Sequence, residues 1–228
     1  MIPVPPAPEP DDFGDKIRKK GLAAIAELTG KPAPKRPGPK RAPRYASADD
    51  IPPERLPDYW TRALDDLAER YHNLCAYTAL YLRPGTANRT VDHWIPKSAD
   101  WRQAYEWTNF RLAAGLVNAY KGTRTGLVDP FTIKAGWFAL DLLSFKVVVG
   151  PKSPPARVSA IQATIGKDGL HLNLEDFRRA REKNAQDYWN GVPLWHLKEH
   201  SPFVASELQR QGWLRHDDRA GRAAQVTA

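Results

Sequence analysis

The sequence predicts an α+β fold: a mostly helical body around one short strand, loop, strand and helix segment, preceded by a proline-rich N-terminal arm. Three observations predict it. Apolar residues recur every three or four positions over several stretches, a brief β-branched run lies between them, and 13 of the 21 prolines lie in residues 1–57. We expect one compact body with three regions, residues 1–57, 58–126 and 127–228.

The N-terminal arm carries a basic stretch and one candidate helix. Residues 31–44 read KPAPKRPGPKRAPR, with six basic and no acidic side chains. Proline prevents a regular helix or strand there, so the stretch is either a solvated linker or a basic arm that lies along a phosphate backbone. Before it, Phe13, Ile17, Ala24 and Leu28 recur at helical spacing. They predict a short amphipathic helix that docks on a partner or on the core.

The central region begins with a predicted helix over residues 56–81, where Leu56, Trp60 and Leu64 start an apolar face. A turn then leads to the short β-branched run that carries Asp92 and His93. Residues 107–112 predict a second short strand, and residues 112–121 return to a helical composition. In the C-terminal region we expect a helix over residues 173–189 that starts on an asparagine cap.

Composition limits the classes of function. Lys and Arg exceed Asp and Glu by 34 to 26, which favours a polyanionic partner, although many basic proteins bind no nucleic acid. No run of 18 apolar residues occurs, and the first residues are acidic and proline-rich, so we expect a cytoplasmic protein without a membrane partner. The single cysteine, Cys75, predicts a buried thiol rather than a disulfide, a zinc ribbon or a nucleophile.

The segment from Val91 to Gly122 carries the candidate chemistry. Phosphodiester hydrolysis needs a base, a divalent cation and a rigid frame that aligns them. His93 can serve as the base, and Asp92 with Asn118 offers oxygen ligands that favour Mg²⁺, with Mn²⁺, Ni²⁺ or Zn²⁺ left open. Asn109 can bond backbone groups across the loop between the strands and so set the aim of His93.

Basic residues flank this segment and are candidates for substrate binding. Each could contact a phosphate on either side of the scissile bond, or could be a solvated loop charge. They are Lys97, Arg111, Lys121 and Arg124.

In this order the residues resemble the signature of HNH endonucleases, the ββα-metal motif. The parallel consists of DHWIPKS, YEWTNFRL and an Asn three residues before Lys-Gly. With the later DPF at Asp129–Phe131, the chain is most similar to bacterial HNH nuclease subunits of Septu and retron-type anti-phage defence systems. The resemblance implies His93 as base, Asp92 and Asn118 as metal ligands, and Asn109 as organiser.

The resemblance also has departures and alternatives. Many HNH proteins hold the hairpin with two Cys-x-x-Cys pairs, whereas Thr78 stands at the place of the mate of Cys75. Aromatic packing, including Trp94 and Phe110, must then support the motif. The expected function is a DNA endonuclease of anti-phage defence. The alternatives are a partner-gated subunit of an ATPase–nuclease complex and an HNH nuclease that acts on RNA.

Overall fold

A computed structural model describes residues 1–35 and 38–220. Residues 36–37 of the predicted basic stretch and residues 221–228 of the predicted C-terminal region lie outside the described residues. The chain forms two compact units. The motif unit comprises Pro5–Asn73 and Pro84–Thr125, and the C-terminal unit comprises Met1–Val4, Leu74–Arg83 and Gly126–Ala228.

The described part of the chain consists of helices and two pairs of short strands. The elements are α1 (Lys19–Leu28), α2 (Leu64–Arg70), β1 (Arg89–His93), β2 (Phe110–Ala114), α3 (Gly115–Lys121), β3 (Phe138–Asp141), β4 (Lys146–Val149), α4 (Val158–Ile165), α5 (Glu175–Trp189), α6 (Leu194–His200), α7 (Pro202–Gln211) and α8 (His216–Ala220). The described strands form two antiparallel pairs, β1 with β2 and β3 with β4. The predicted α+β class is therefore confirmed.

The N-terminal helix packs inside the motif unit. A π-helical turn, Gly14–Arg18, runs directly into α1, and Phe13 and Ile17 are fully buried. The ring of Phe13 meets Trp107 edge-on, with 5.6 Å between centroids. The helix was predicted to dock on a partner or on the core, and it packs on the core of its own unit. Residue 57 is therefore not the boundary of a separate arm.

Gly21 shows why this helix can lie so close to the motif. Glycine weakens a helix, yet α1 continues through Gly21. A larger residue would not fit there, because its Cβ would lie 2.5 Å from ring atoms of Tyr105. The hydroxyl of Tyr105 donates to the carbonyl of Pro57 at 2.7 Å. The missing side chain thus lets Tyr105 tie the loop before β2 to both the helix and the preceding segment.

The helix predicted over residues 56–81 is wrong in length. A 3-10 turn at Tyr59–Ala63 leads into α2, which ends at Arg70. Its continuation is prevented by His72 and Asn73, whose φ angles of 51° and 55° lie in the left-handed region. The apolar spacing continues past this point because the following residues fold into the core of the other unit as turns.

The β1–β2 hairpin packs against α3. The register places Asp92 opposite Arg111 and His93 opposite Phe110, and α3 follows β2 directly and contacts both strands. The turn between β2 and α3 requires Gly115, since a Cβ there would lie 2.3 Å from the side chain of Asn88. The second strand begins at Phe110, three residues later than predicted, because a 3-10 turn precedes it.

In the C-terminal unit, helices pack with a hairpin that the sequence did not predict. The hairpin of β3 and β4 lies within the apolar stretch of residues 131–149. The prediction that Asn173 caps α5 is wrong. Its side chain instead bonds the main-chain nitrogen and oxygen of Val147 at 2.7 and 2.9 Å. Leu174 is the residue before the helix instead. Cys75 is buried in this unit, which confirms the predicted buried thiol.

Among the described residues, none of the helices combines the length and the apolar composition that crossing a bilayer requires.

Candidate active site

Four predicted site residues line one cavity of the motif unit. They are Asp92, His93, Lys97 and Asn118, and the cavity has a volume of about 300 Å³. The rest of the lining was not predicted to form a site and consists of Pro53, Trp60, Val91, Pro96, Ser98, Gly122 and Thr123. The candidate base and both candidate metal ligands therefore border the same space.

His93 is held as a neutral imidazole. Its Nε2 lies 3.0 Å from the main-chain oxygen of Ala104. A carbonyl can only accept, so Nε2 carries the proton and Nδ1 keeps its lone pair. The pKa of His93 is lowered to about 4, chiefly by burial; the hydrogen bond to Ala104 opposes this shift, and the positive charges of Lys97 and Lys121 add to it. The ring is therefore in the form that can accept a proton near neutral pH.

Two aromatic rings clamp His93. Trp60 and Phe110 meet it edge-on, with centroid distances of 5.1 and 5.2 Å. The ammonium of Lys97 lies 3.7 Å from the centroid of the Trp60 ring. Trp60 thus holds both the candidate base and a candidate phosphate contact. Its apolar spacing had predicted a scaffold residue only, because contacts to residues more than 30 positions away leave no periodic signal.

Asn109 organises the loop between the strands. Its Oδ1 accepts from the main-chain nitrogen of Ile95 at 2.7 Å. Its Nδ2 donates to the main-chain oxygens of Ile95 and Gln103, both at 3.0 Å. Gln103 directly precedes Ala104, whose carbonyl holds His93. Asn109 therefore fixes the segment that orients the His93 ring, with the backbone bonds that the sequence predicted for it.

The hydrogen bonds of Thr90 determine which way the Asn118 amide faces. The only hydroxyl proton of Thr90 goes to the carbonyl of Ala113 at 3.1 Å. Its oxygen can then only accept, and it does so from Nδ2 of Asn118 at 3.1 Å. This leaves Oδ1 of Asn118 as the group that can act as a ligand.

Asp92 has a buried cationic partner. Nζ of Lys121 donates to Oδ1 of Asp92 at 3.1 Å and to the main-chain oxygen of His93 at 2.6 Å. Both side chains are almost completely inaccessible, with exposed fractions of 0% for Lys121 and 4% for Asp92. The side-chain oxygen of Asp92 and the main-chain oxygen of His93, neighbours on β1, thus both accept from the Lys121 ammonium.

The predicted phosphate contacts separate into two groups. Lys121 and Arg111 are buried, and Arg111 donates to the carbonyls of Thr108 and Phe110 at 2.8 and 2.9 Å. Neither side chain lines the cavity, and both bond to groups inside the unit, so a phosphate contact by either one stays a prediction. Lys97 borders the cavity and Arg124 is exposed, so their role stays a prediction.

The donor set fits a hard divalent cation. A carboxylate and an amide oxygen are ligands that Mg²⁺ and Mn²⁺ prefer, with water and substrate oxygens completing the shell. The Lys121 ammonium beside Asp92 shows that the position accommodates positive charge. Among residues 1–35 and 38–220, no three or more His, Cys, Asp or Glu side chains cluster to hold a metal, and Asp92 and Asn118 are a sparser set.

The burial of His93 predicts a pH-dependent stability. Because the pKa is lowered from 6.5 to about 4, the unfolded chain takes up the proton first as the pH falls. The free energy of unfolding of the metal-free protein should therefore decrease below about pH 6.5. Between about pH 7 and about pH 5, His93 should account for a loss of roughly 2 kcal/mol. Urea unfolding in EDTA measures it.

The matched variants for this measurement are His93→Gln and His216→Gln. The loss should shrink in His93→Gln and persist in His216→Gln, whose side chain is almost fully exposed. An equal loss in the wild type and His93→Gln would show that His93 titrates normally.

No family model matches the chain, and a search of curated proteins gives no match either.

Proposed function

We propose that the protein is a metal-dependent HNH-type endonuclease that hydrolyses phosphodiester bonds in DNA. One observation carries the proposal. A neutral histidine with its proton committed to Ala104 borders the same cavity as the oxygen ligands Asp92 and Asn118. A base and a site for a hard cation in one cavity are what phosphodiester hydrolysis requires.

His93 acts as the general base in this proposal. Its Nδ1 takes a proton from the attacking water while the water oxygen forms a bond to phosphorus. The bond from phosphorus to the leaving 3′ oxygen breaks in line with the attack, and that oxygen takes a proton from solvent. The carbonyl of Ala104 stabilises the imidazolium that forms, since it already accepts from Nε2.

Asp92 and Asn118 would hold the metal. A bound Mg²⁺ or Mn²⁺ supplies neutralisation of the charge that develops on the phosphate and the leaving oxygen. Thr90 supports this role, because its bond to Nδ2 keeps the Asn118 oxygen free of that contact. Asn109 keeps the base in place through the 95–104 loop.

Cationic side chains beside the cavity support a polyanionic substrate. Lys97 lies over the Trp60 ring at the cavity, and Arg124 is exposed shortly after α3. The chain as a whole carries a formal charge of +8. Phosphate contacts of this kind position a strand without reading its bases, so we expect little sequence preference.

A substrate panel tests the proposal. The purified protein is incubated with labelled duplex DNA, single-stranded DNA and RNA in Mg²⁺, Mn²⁺ or EDTA. Metal-dependent cleavage of DNA that leaves a 5′ phosphate supports it, whereas cleavage of RNA alone would identify the RNA alternative. Equal cleavage in EDTA, or the absence of cleavage on every substrate, would contradict an autonomous metal-dependent nuclease.

The second candidate is a partner-gated subunit of an ATPase–nuclease complex in anti-phage defence. The resemblance to defence nucleases motivates it. An amphipathic N-terminal helix with an exposed apolar face would also favour a partner. Here the apolar face of that helix is buried within the motif unit. Addition of a co-purified ATPase that switches on cleavage would favour this candidate over the first.

A further inference from the structure

Lys121 places a buried ammonium beside the candidate site, and the proposed chemistry does not use that charge. Lysine is almost never fully buried without a partner. Here the side chain is completely inaccessible and its Nζ bonds Asp92 and the main-chain oxygen of His93. Its charge therefore lies against the carboxylate that the proposed metal needs.

The placement follows from the periods of the two elements. Thr90 and Asp92 lie two positions apart on β1 and share a face of that strand. Asn118 and Lys121 lie three positions apart on α3 and share a face of that helix. The two faces meet in two adjacent contacts, Thr90 with Asn118 and Asp92 with Lys121. Lys121 is thus the neighbour of both candidate ligands.

We propose that Lys121 is a built-in counter-ion that competes with the divalent cation for Asp92 and thereby sets the metal affinity of the site. The inference rests on the proposed function. In the metal-free protein the ammonium lies against the buried carboxylate and offsets its negative charge. When a divalent cation binds Asp92, the ammonium of Lys121 either repels the cation or gives up its hydrogen bond to Asp92.

The charge, rather than the shape, of Lys121 is predicted to matter. Removal of the charge should tighten Mn²⁺ binding about tenfold, because it removes the repulsion between two positive charges that share one carboxylate. The same change should lower the melting temperature in EDTA, because it removes the buried bonds from Lys121 to Asp92 and to the main-chain oxygen of His93. Mn²⁺ should then raise the melting temperature of the variant more than that of the wild type.

The experiment is a calorimetric titration with Mn²⁺, paired with thermal melts in EDTA and in Mn²⁺. Lys121→Met removes the charge, and Lys121→Gln removes it while keeping a donor for the His93 carbonyl. Lys198→Met is the matched control, since Lys198 is an exposed lysine on α6. Asp92→Asn identifies the metal site itself, and Asp92→Asn/Lys121→Met removes both charges of the pair.

Tighter Mn²⁺ binding by both Lys121 variants, unchanged binding by Lys198→Met and a recovered melting temperature in the double variant would support the proposal. If the Lys121 variants unfold in EDTA, Mn²⁺ should restore their fold, and failure to do so would overturn it. If the wild type binds Mn²⁺ and Asp92→Asn does not, the metal site stands. Equal or weaker Mn²⁺ binding by the folded Lys121 variants would then overturn the counter-ion role alone. No wild-type binding, or full binding by Asp92→Asn, overturns the metal site and the counter-ion together.

Discussion

Replacement of His93 by Ala is expected to lower the rate of phosphodiester cleavage by about 10² to 10⁴, the usual contribution of a general base. The reason is that Nδ1 of His93 is the candidate proton acceptor at the cavity, since Nε2 is committed to Ala104. Single-turnover cleavage of a labelled duplex at saturating Mg²⁺ measures the chemical step. The loss should appear in kcat, since the base acts in the transition state.

The control for this variant is His216→Ala. His216 lies on α8 and is almost fully exposed, so its replacement should leave the rate unchanged. Circular dichroism and a melting curve of His93→Ala establish that the fold is kept, because the ring is packed between Trp60 and Phe110. A folded His93→Ala protein with the wild-type rate would remove His93 from the chemistry.

Replacement of Asn109 by Ala should have the largest effect on stability among the site variants. It removes three hydrogen bonds to main-chain groups of the 95–104 loop from a buried side chain. At about 1 kcal/mol for each bond, with a further cost for buried groups left unpaired, the expected loss is about 3 to 5 kcal/mol. Urea unfolding at neutral pH measures it.

The same variant should also lose activity, because the loop carries the Ala104 carbonyl that orients His93. A positioning role predicts that kcat falls while the affinity for DNA changes little. Asn190→Ala serves as the control, since Asn190 is exposed at the end of α5. An Asn109→Ala protein as stable as the wild type would show that the loop keeps its conformation without this amide. A normal kcat would show that Asn109 does not position His93.

Local patterns predicted the elements that carry the chemistry. The β-branched residues before Asp92 predicted β1, and the composition of residues 112–121 predicted the helix that became α3. The amide chemistry of Asn109 predicted its bonds across the loop, because an amide side chain can both donate to and accept from nearby backbone groups. These predictions succeeded since each depends on neighbours within about one loop length in sequence.

Long-range packing accounts for what the sequence did not predict. The pairing of Lys121 with Asp92 crosses 29 positions and requires the register of α3 on β1. Trp60 lies before the motif and carries the same apolar spacing as core residues, so its contact with His93 leaves no pattern. The β3–β4 hairpin consists of strands of four residues each, which are too short for alternation to stand out from an apolar stretch.

Cleavage of supercoiled plasmid tests the central claim most directly. The wild type and Asp92→Asn are compared in Mg²⁺ and in EDTA, with Asp217→Asn as a control that changes a fully exposed aspartate. The proposed function predicts nicked or linear plasmid from the wild type and Asp217→Asn in Mg²⁺ only, and intact plasmid from Asp92→Asn. Intact plasmid in every reaction, or the same cleavage by Asp92→Asn as by the wild type, would contradict it.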